Sequence, residues 1–458
     1  MRNRIGALAV GMAFVLAAEA QMLGPGSGRE ANREAVKRWT ESQLKEEPGT
    51  RRVWPGVVAD TAARTVTAVI EAVGDRGVRY PSEFIVVGET SEKDYEALAV
   101  LLAKPSDVAR GLEAIGMPRG RPIQPQAFRF WPRGERVLLT IRPFAGGPER
   151  PIGAFVSDQQ TGKGMSNAFI YVGSVWREDG SCEADSPSPG SVVSTYNEPA
   201  TVLDAPRLIS QNAAYGRYVI NPGVMNKESL WCLVLRPERA ADAPPRVVPV
   251  ELTVQPRAGL NTPPAGVADL EWVMQEPGGG GMTNAADAVV KGLMTLVRSG
   301  REPHVALRFD DRLTVKAMAE LAPVVAAIEG EDGIRVDGPP DDQLYYKAYQ
   351  PKPEWREREK RLMQPYELRI ERNGEIGWRK TFVHIHEDWN DETSLDPKLT
   401  VRPSPLQNWD ELVEHVETLG RGQGVLLVFA PADAPISVFM EGVRRVKKTL
   451  PTVYVFAE

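Results

Sequence analysis

The sequence predicts a multi-domain α+β protein. The chain has 458 residues, 42% of them hydrophobic and 25% charged, which is typical of a globular protein with two or three domains. Its first half carries short strand-type segments with one helical interruption, whereas its last part alternates strands with amphipathic helices. A proline- and glycine-rich stretch at 256–282 separates the two patterns. We therefore expect a β-rich domain followed by one or two small α/β modules.

The first twenty residues have the composition of a secretory signal peptide. Two arginines precede an apolar run from Ile5 to Ala18, and Ala18-Glu19-Ala20 supplies a cleavage signal of small residues. The predicted product is extracytoplasmic, either periplasmic or secreted after cleavage near Ala20. An uncleaved membrane anchor is the alternative, although the run is shorter than the about 20 residues that a span needs. A cytoplasmic helix is a third interpretation.

The net charge of the chain indicates which classes of binding partner to expect. The chain has 55 basic and 61 acidic residues, giving a net charge of −6. Nucleic-acid binding needs clustered positive charge against phosphate, so no nucleic-acid partner is predicted. No segment beyond the signal region is apolar and long enough for a transmembrane span. The expected partner is a protein or a polymer of the cell envelope.

The chain has two cysteines, Cys182 and Cys232. In an oxidising compartment two thiols in one chain form a candidate disulfide. The alternative is two separate buried thiols, because free cysteine packs as a small apolar residue. The spacing does not distinguish these interpretations, since the distance between the Cα atoms decides whether a bond can form.

The region before the linker is expected to form one domain. Residues 21–52 are predicted to be a flexible segment, with a short amphipathic helix around Arg29–Leu44 as an option. Residues 53–255 are predicted to form a β-rich domain with a helical excursion, in which Ser91–Leu102 places apolar residues on one helical face. A second helix begins at Ser106, an N-cap residue, and ends at Gly116. The strand-type segments are Val57–Val58, Thr65–Val69, Glu83–Val87, Arg136–Ile141, Phe169–Val172, Ser191–Ser194 and Leu230–Leu235.

An ordered series of short motifs in this region resembles the YdjY-like domain of bacterial extracytoplasmic proteins, over about Val57 to Pro237. At one point the series departs from the family pattern, because Tyr95 stands where the family typically has a histidine. The resemblance implies a domain of unknown function and no particular activity. The motifs that carry it are Glu83-Phe-Ile-Val-Val87, Tyr95-Glu-Ala-Leu98, Lys104-Pro-Ser106, Gly111-Leu-Glu-Ala-Ile-Gly116, Pro118, Gly120, Pro122, Val137–Ile141 and Tyr171-Val-Gly-Ser174.

The region after the linker alternates strands and helices. Residues 283–345 are predicted to form a small α/β module, residues 346–365 a charged connector, and residues 366–458 a second α/β module. In the first module Pro323 is expected to kink or interrupt the second helix. The predicted elements are helix Asn284–Val297, strand His304–Phe309, helix Thr314–Ile328, strands Tyr366–Glu371 and Lys380–His386, helix Asn408–Leu419, strand Val425–Ala430, helix Ile436–Leu450 and strand Val453–Phe456.

The last module is similar to the periplasmic domain of ExbD/TolR-type biopolymer transport proteins. The likeness rests on Val425-Leu-Leu-Val-Phe-Ala-Pro-Ala-Asp433, on Ile436-Ser-Val-Phe-Met-Glu-Gly-Val443 and on Val453-Tyr-Val-Phe456. These segments predict a strand, an acidic turn, an amphipathic helix and a returning strand. His304–Phe309 with Thr314–Ile328 resembles a partial second copy. The family's transmembrane helix directly before this domain is absent from the corresponding place.

Few motifs in the chain point to chemistry. The sequence contains no P-loop, no G-x-S-x-G, no H-E-x-x-H and no C-x-x-C. His384-Ile-His386 is the one spacing typical of a metal ligand pair, because alternate strand residues share a face. A metal site needs three or four ligands, so two exposed or hydrogen-bonded histidines are the favoured interpretation. The sequence predicts no catalytic residue and no cofactor.

These observations favour a non-enzymatic, exported protein that binds or scaffolds in the bacterial cell envelope. Two alternatives stay open. One is a metal-dependent envelope hydrolase that uses His384 and His386. The other is an anchored accessory of a biopolymer-transport system, which would keep Ile5–Ala18 in the membrane.

Overall fold

The computed structural model divides the chain into two compact units. The first, which we call the barrel unit, contains Met1–Ile123 and Pro132–Pro244; the second, the tandem unit, contains Gln124–Trp131 and Pro245–Glu458. Each unit is described separately below. The structure describes residues 27–45, 49–74, 80–124, 131–260, 262–275, 281–331, 333–337, 343–351, 365–372, 375–384, 398–403, 409–418, 425–447, 449–450 and 452–458.

Short strands dominate the barrel unit. Among the described residues of this unit, the helices are α1 (Ser27–Gln43), α2 (Pro105–Ala114) and α3 (Gln211–Ala214). Its strands are β1 (Arg51–Trp54), β2 (Val57–Asp60), β3 (Thr65–Ala72), β4 (Tyr80–Pro81), β5 (Phe84–Gly88), β6 (Ala97–Leu101), β7 (Arg136–Pro143), β8 (Arg150–Pro151), β9 (Val156–Asp158), β10 (Lys163–Gly164), β11 (Ala168–Tyr171), β12 (Ser191–Ser194), β13 (Leu203–Asp204), β14 (Tyr218–Ile220) and β15 (Leu230–Pro237).

The strand pairings of the larger sheet close on themselves. The order runs β3-β15-β7-β11-β13-β12-β5-β6, and β6 pairs with β3 to complete a ring. β3 pairs with two strands along the same edge: its residues Thr65–Ala68 pair with β2, and its residues Ile70–Ala72 pair with β6. Closure leaves the eight strands of the ring without the open edges of a flat sheet. Four further strands form a small second sheet, in the order β10-β9-β14-β4.

The barrel core follows from strict alternation along the strands. In β3 the side chains of Val66, Ala68 and Ile70 are fully buried in the main core, and the residues between them face outward. Helix α2 adds apolar side chains to the same core, and the hydroxyl of Tyr171 donates a 3.0 Å hydrogen bond to the carbonyl of Ala109 within that helix.

Helix α1 packs on the outside of the barrel. Val36 joins Val69 and Leu102 in a small apolar cluster. A 2.8 Å ion pair links Arg29 to Glu71, whose side chain is 2% exposed. The segment at 21–52, which the sequence predicts to be flexible, therefore contains a docked helix. The option of an amphipathic helix over Arg29–Leu44 agrees with the observed bounds Ser27–Gln43.

The tandem unit contains two sets of elements in the same order along the chain. Residues 247–337, the first module, contain β16 (Val247–Pro256), β17 (Leu270–Gln275), β18 (Gly281–Asn284), α4 (Ala286–Arg298), β19 (Glu302–Phe309), α5 (Val315–Gly330) and β20 (Arg335–Asp337). Residues 366–457, the second module, contain β21 (Tyr366–Ile370), β22 (Ile376–His384), β23 (Lys398–Pro403), α6 (Trp409–Thr418), β24 (Val425–Ala430), α7 (Ser437–Val446) and β25 (Thr452–Ala457).

The two modules have one topology. The sheet orders are β18-β17-β16-β19-β20 and β23-β22-β21-β24-β25. In each sheet the first strand forms an antiparallel hairpin with the second and pairs in parallel with the fourth, across a helix. Buried residues of both modules belong to a single hydrophobic core. The tandem unit is therefore a repeat of one α/β module packed around a shared core.

The loops that follow the parallel strands β19 and β24 join the two modules. The amide of Val315 donates to the carbonyl of Ala434 at 3.0 Å, and the amide of Ile436 donates to the carbonyl of Leu313 at 2.8 Å. Thr314 and Pro435 form an antiparallel bridge between these contacts. We call the paired loops 310–316 and 431–437 the clasp. Because each loop lies at the equivalent place in its module, the pairing is approximately symmetric.

The structure confirms the α+β class and places several boundaries differently. β16 begins the first module instead of ending the β-rich domain, because it pairs in parallel with β19 over Val247–Val254. The predicted linker at 256–282 contains β17. The predicted connector at 346–365 opens with a buried turn at Tyr346–Tyr349, and residues 352–364 lie outside the described residues.

Two helix predictions need correction. Ser91–Leu102, which the sequence predicts as a helix, contains a short turn and then strand β6, whose five residues are all buried. Interruption at Pro323 is wrong, because α5 continues from Val315 to Gly330, whereas the kink expected at this residue stays a prediction. Within the described part of the chain, no helix is long and apolar enough to cross a membrane; the predicted signal peptide at 1–20 lies outside that part.

Candidate functional site

Four acidic side chains, three of them buried and Glu96 half-buried, form a cluster in the barrel unit. Glu83 precedes β5, Glu96 precedes β6, and Glu198 and Asp204 come from the segment between β12 and the end of β13. Glu83 is 4% exposed, Glu198 is 6% exposed and Asp204 is fully buried. Because β5 pairs with both β6 and β12, chain segments distant in sequence bring these carboxyls together.

Each of three carboxyls in the cluster has a specific hydrogen-bond donor. The hydroxyl of Tyr196 donates to Glu198 at 3.3 Å, and the amide of Asn197 donates to Asp204 at 3.0 Å. Gln211 donates to Glu83 at 3.0 Å. The Oε1 atom of Glu198 and the Oδ2 atom of Asp204 are buried without a hydrogen-bond partner among the described residues.

Burial raises the pKa values of this cluster. It raises the pKa of Glu198 to about 7, against hydrogen bonds from Ser191 and Tyr196 that lower it, and the charge of Glu83 raises it further. Burial also raises the pKa of Asp204 well above its usual range, and the charge of Glu198 adds to this. The pKa of Glu96 is raised by burial and by Glu83. The cluster can therefore hold protons near neutral pH.

The described residues contain no group of three or more histidine, cysteine, aspartate or glutamate side chains that could hold a metal ion. The candidate metal ligand His384 is the last residue of β22, and its side chain lies outside what the structure describes. His386 also lies outside the described residues. The prediction for this pair stays a prediction.

The two cysteines are free thiols, so the disulfide interpretation is wrong and that of two buried thiols fits. Cys232 lies in β15 between Val69 and Arg142 on the neighbouring strands. Cys182 lies in an irregular segment, where its backbone forms an isolated β-bridge with that of Trp176. Burial raises the pKa of both thiols. Cys182 lines an open depression of about 410 Å³ beside the first turn of α2, where Asp185 already accepts a 2.8 Å hydrogen bond from the amide of Ser106.

In the tandem unit, ionic contacts reinforce the clasp. Arg444 on α7 forms a 3.0 Å ion pair with Asp311 in the loop after β19. The Nζ atom of Lys447 donates a 2.6 Å hydrogen bond to the carbonyl of Gln343, which precedes the buried turn. A further buried pair, His304 and Asp337, lies on adjacent parallel strands with Nδ1 and Oδ2 3.7 Å apart. These polar contacts connect elements and modules.

Comparison with known proteins gives no further assignment. No protein-family model matches the chain, and no curated protein matches it significantly. The fold itself defines a two-unit α+β protein with a closed barrel and a tandem α/β repeat.

Sequence reasoning did not find the carboxyl cluster. Its members are spread over more than a hundred residues, from Glu83 to Asp204, without a motif spacing. A local signal exists only in the polar segment Tyr196-Asn197-Glu198, which directly follows an apolar strand. Residues of that type also occur in ordinary surface loops, so the segment alone does not indicate burial.

Proposed function

We propose that this chain is an exported, non-enzymatic binding or scaffolding protein of the bacterial cell envelope. The observation that carries the proposal is the tandem unit, in which two copies of one module share a core and are held together by paired loops. Such a repeat places two equivalent module surfaces on one unit.

The proposal includes two family assignments. We propose that the barrel unit is YdjY-like and that both modules of the tandem unit are ExbD/TolR-like. Supporting the second assignment, β24, the turn with Asp433, α7 and β25 follow one another in the order that the resemblance implies. The first module repeats this order with β19, the turn with Asp310 and Asp311, α5 and β20.

Photo-crosslinking in cells tests the binding function. A photoreactive residue is placed at each of three exposed apolar positions, Leu208, Tyr215 and Val438, and at the exposed Lys37 as a control. Exposed apolar side chains are the positions at which a partner surface is expected. We expect a discrete crosslinked product in the envelope fraction from at least one apolar position and none from Lys37. The absence of any product would contradict the proposal.

Two measurements on the same preparation distinguish the alternatives. N-terminal sequencing is expected to give Gln21 as the first residue; Met1 would favour an anchored accessory. Metal analysis of the purified chain is expected to show no stoichiometric zinc. Zinc that is lost when both His384 and His386 are changed to Ala would favour the hydrolase and contradict the non-enzymatic proposal.

A further inference from the structure

A polar depression of about 330 Å³ lies on the outer surface of the barrel, next to helix α1. Trp39 and Gln43, one helical turn apart in α1, form one wall. Arg51, Arg142 and Arg236 surround the floor. We call this depression the arginine groove. Its volume is at the lower end of the range for small-molecule sites, about 300–1,000 Å³.

The floor of the groove follows from the register of four neighbouring strands. Val58 on β2 lies opposite Thr67 on β3, Thr67 opposite Val234 on β15, and Val234 opposite Thr140 on β7. Thr65 and Thr67 point to the same side, because alternate residues of a strand share a face. The outer face of the barrel thus presents hydroxyl groups beside apolar side chains, next to helix α1.

The charges around the groove are not balanced. Arg236 binds Glu149 through two hydrogen bonds of 2.6 and 2.7 Å. The described lining residues also include Asp60 and Arg51, and Arg51 donates a 3.0 Å hydrogen bond to the Oε1 atom of Gln43. No ion pair joins Arg142 to a carboxylate among the described residues, although its charge helps to lower the pKa of Glu149, after the hydrogen bond from Arg236. The guanidinium of Arg142 donates a long 3.5 Å hydrogen bond to the carbonyl of Pro143. One half-buried guanidinium therefore remains available to an anionic group.

We propose that the arginine groove binds a saccharide that carries a carboxylate. A guanidinium presents two parallel donors that match a carboxylate, which assigns that group to Arg142. The hydroxyl groups of Thr65 and Thr67 suit the hydroxyl groups of a sugar ring, and the indole of Trp39 offers an apolar wall for its C–H groups. This goes beyond the proposed function, since binding a small acidic sugar requires neither export nor a protein partner.

Calorimetric titration of the full chain with three probes tests the proposal: sodium D-glucuronate, methyl β-D-glucoside and inorganic phosphate. We expect glucuronate to bind with a Kd of about 1 mM or lower, and the uncharged glucoside to bind at least about tenfold more weakly. Arg142→Gln should weaken glucuronate binding about tenfold, because it removes the charge while keeping a hydrogen-bond donor. Thr67→Val, a nearly isosteric change, should weaken it about threefold.

The controls separate site binding from general effects. Arg207→Gln removes an exposed arginine of the same unit outside the groove and should leave the affinity unchanged. Unchanged thermal unfolding of Arg142→Gln and Thr67→Val shows that both variants keep the fold. The proposal is overturned if glucuronate does not bind, if Arg142→Gln binds it as tightly as the parent chain, or if phosphate binds as tightly as glucuronate.

Discussion

Glu198 is a carboxyl that the fold keeps away from water. Its environment supplies hydrogen bonds from Ser191 and Tyr196, yet burial outweighs them and raises its pKa from 4.5 to about 7. The fully buried Asp204 lies close enough for the charge of Glu198 to raise its pKa as well. Holding these groups ionised would therefore cost free energy, and the barrel unit is expected to be more stable when they are protonated.

The stability of the barrel unit should fall as the pH rises. Glu198 binds its proton more tightly in the folded state, so its contribution is complete below pH 4.5 and is lost as the pH rises to about 7. A shift of this size corresponds to roughly 3 kcal/mol. Glu198→Gln cannot ionise, so we expect it to reduce the loss of unfolding free energy between pH 4.5 and pH 8, measured by denaturant titration.

Glu34→Gln is the matched control, because Glu34 is an exposed carboxyl of the same unit. It should leave the pH dependence of the unfolding free energy unchanged. Equal pH dependence in Glu198→Gln and the parent chain would show that Glu198 does not contribute in this way.

The two cysteines show a limit of inference at the residue scale. Cys182 and Cys232 are the two cysteines of the chain, and the predicted oxidising compartment would favour a disulfide between them. Strand β15 directs Cys232 outward beside Val69 and Arg142, whereas Cys182 lies in a different segment of the unit. Bond formation depends on the relative position of two chain segments, which spacing in sequence does not encode.

At the scale of elements, the apolar pattern predicts some strands and misassigns one. Val425–Ala430 is predicted as a strand and is strand β24 residue for residue. Ala97–Leu101 is predicted as part of a helix and is strand β6. All five of its side chains are buried: Leu98, Ala99 and Leu101 in the main barrel core, and Ala97 and Val100 in a second apolar cluster. A continuous apolar run of this kind is compatible with a helix or a strand, so its hydrophobic periodicity does not distinguish the two.

Helix α1 should depend on one buried apolar contact. Val36→Ala removes two methyl groups from the cluster with Val69 and Leu102, which should weaken docking by about 1 to 2 kcal/mol. We expect amide hydrogen exchange within Ser27–Gln43 to become about tenfold faster, while exchange in strand β3 stays unchanged.

Lys37→Ala serves as the control for this helix. Lys37 is the exposed neighbour of Val36, and alanine is at least as good a helix former. Exchange in α1 should therefore stay near the parent value. If Val36→Ala also leaves exchange in α1 unchanged, the cluster does not determine the docking of this helix.

At the scale of the whole molecule, the tandem repeat is the feature with most consequence. In the part of the chain that the structure describes, each module has a five-stranded sheet and two helices, and the buried side chains of both form one core. The clasp adds backbone hydrogen bonds between the modules. Contacts of this kind couple the stability of the modules, because neither can open without exposing apolar surface of the other.

A cavity in one module should therefore lower the local stability of both modules. Leu293→Ala in α4 removes a fully buried side chain, which should cost about 2 to 5 kcal/mol. We expect hydrogen exchange to accelerate in strand β24 of the second module as well as in β19 of the first. Leu412→Ala changes the buried position of the corresponding helix α6 in the second module. It should likewise accelerate hydrogen exchange in both β24 and β19.

The exposed Lys291 provides the control, since Lys291→Ala changes α4 without touching the core. It should leave exchange in β19 and β24 near the parent values. Faster exchange confined to β19 in Leu293→Ala would mean that the modules open independently in spite of their shared core.

The sequence by itself determined the features that repeat over short distances. The α+β class, helices α4 and α6, and strands β19 and β24 follow from apolar periodicity within single segments. The tertiary structure alone decided features that depend on distant segments. Pairing of β3 with β6 closes the barrel, pairing of β16 with β19 moves a domain boundary, and pairing of β5 with β12 buries the carboxyl cluster. Local patterns specify which face of an element is apolar, but only the packed chain specifies what that face meets.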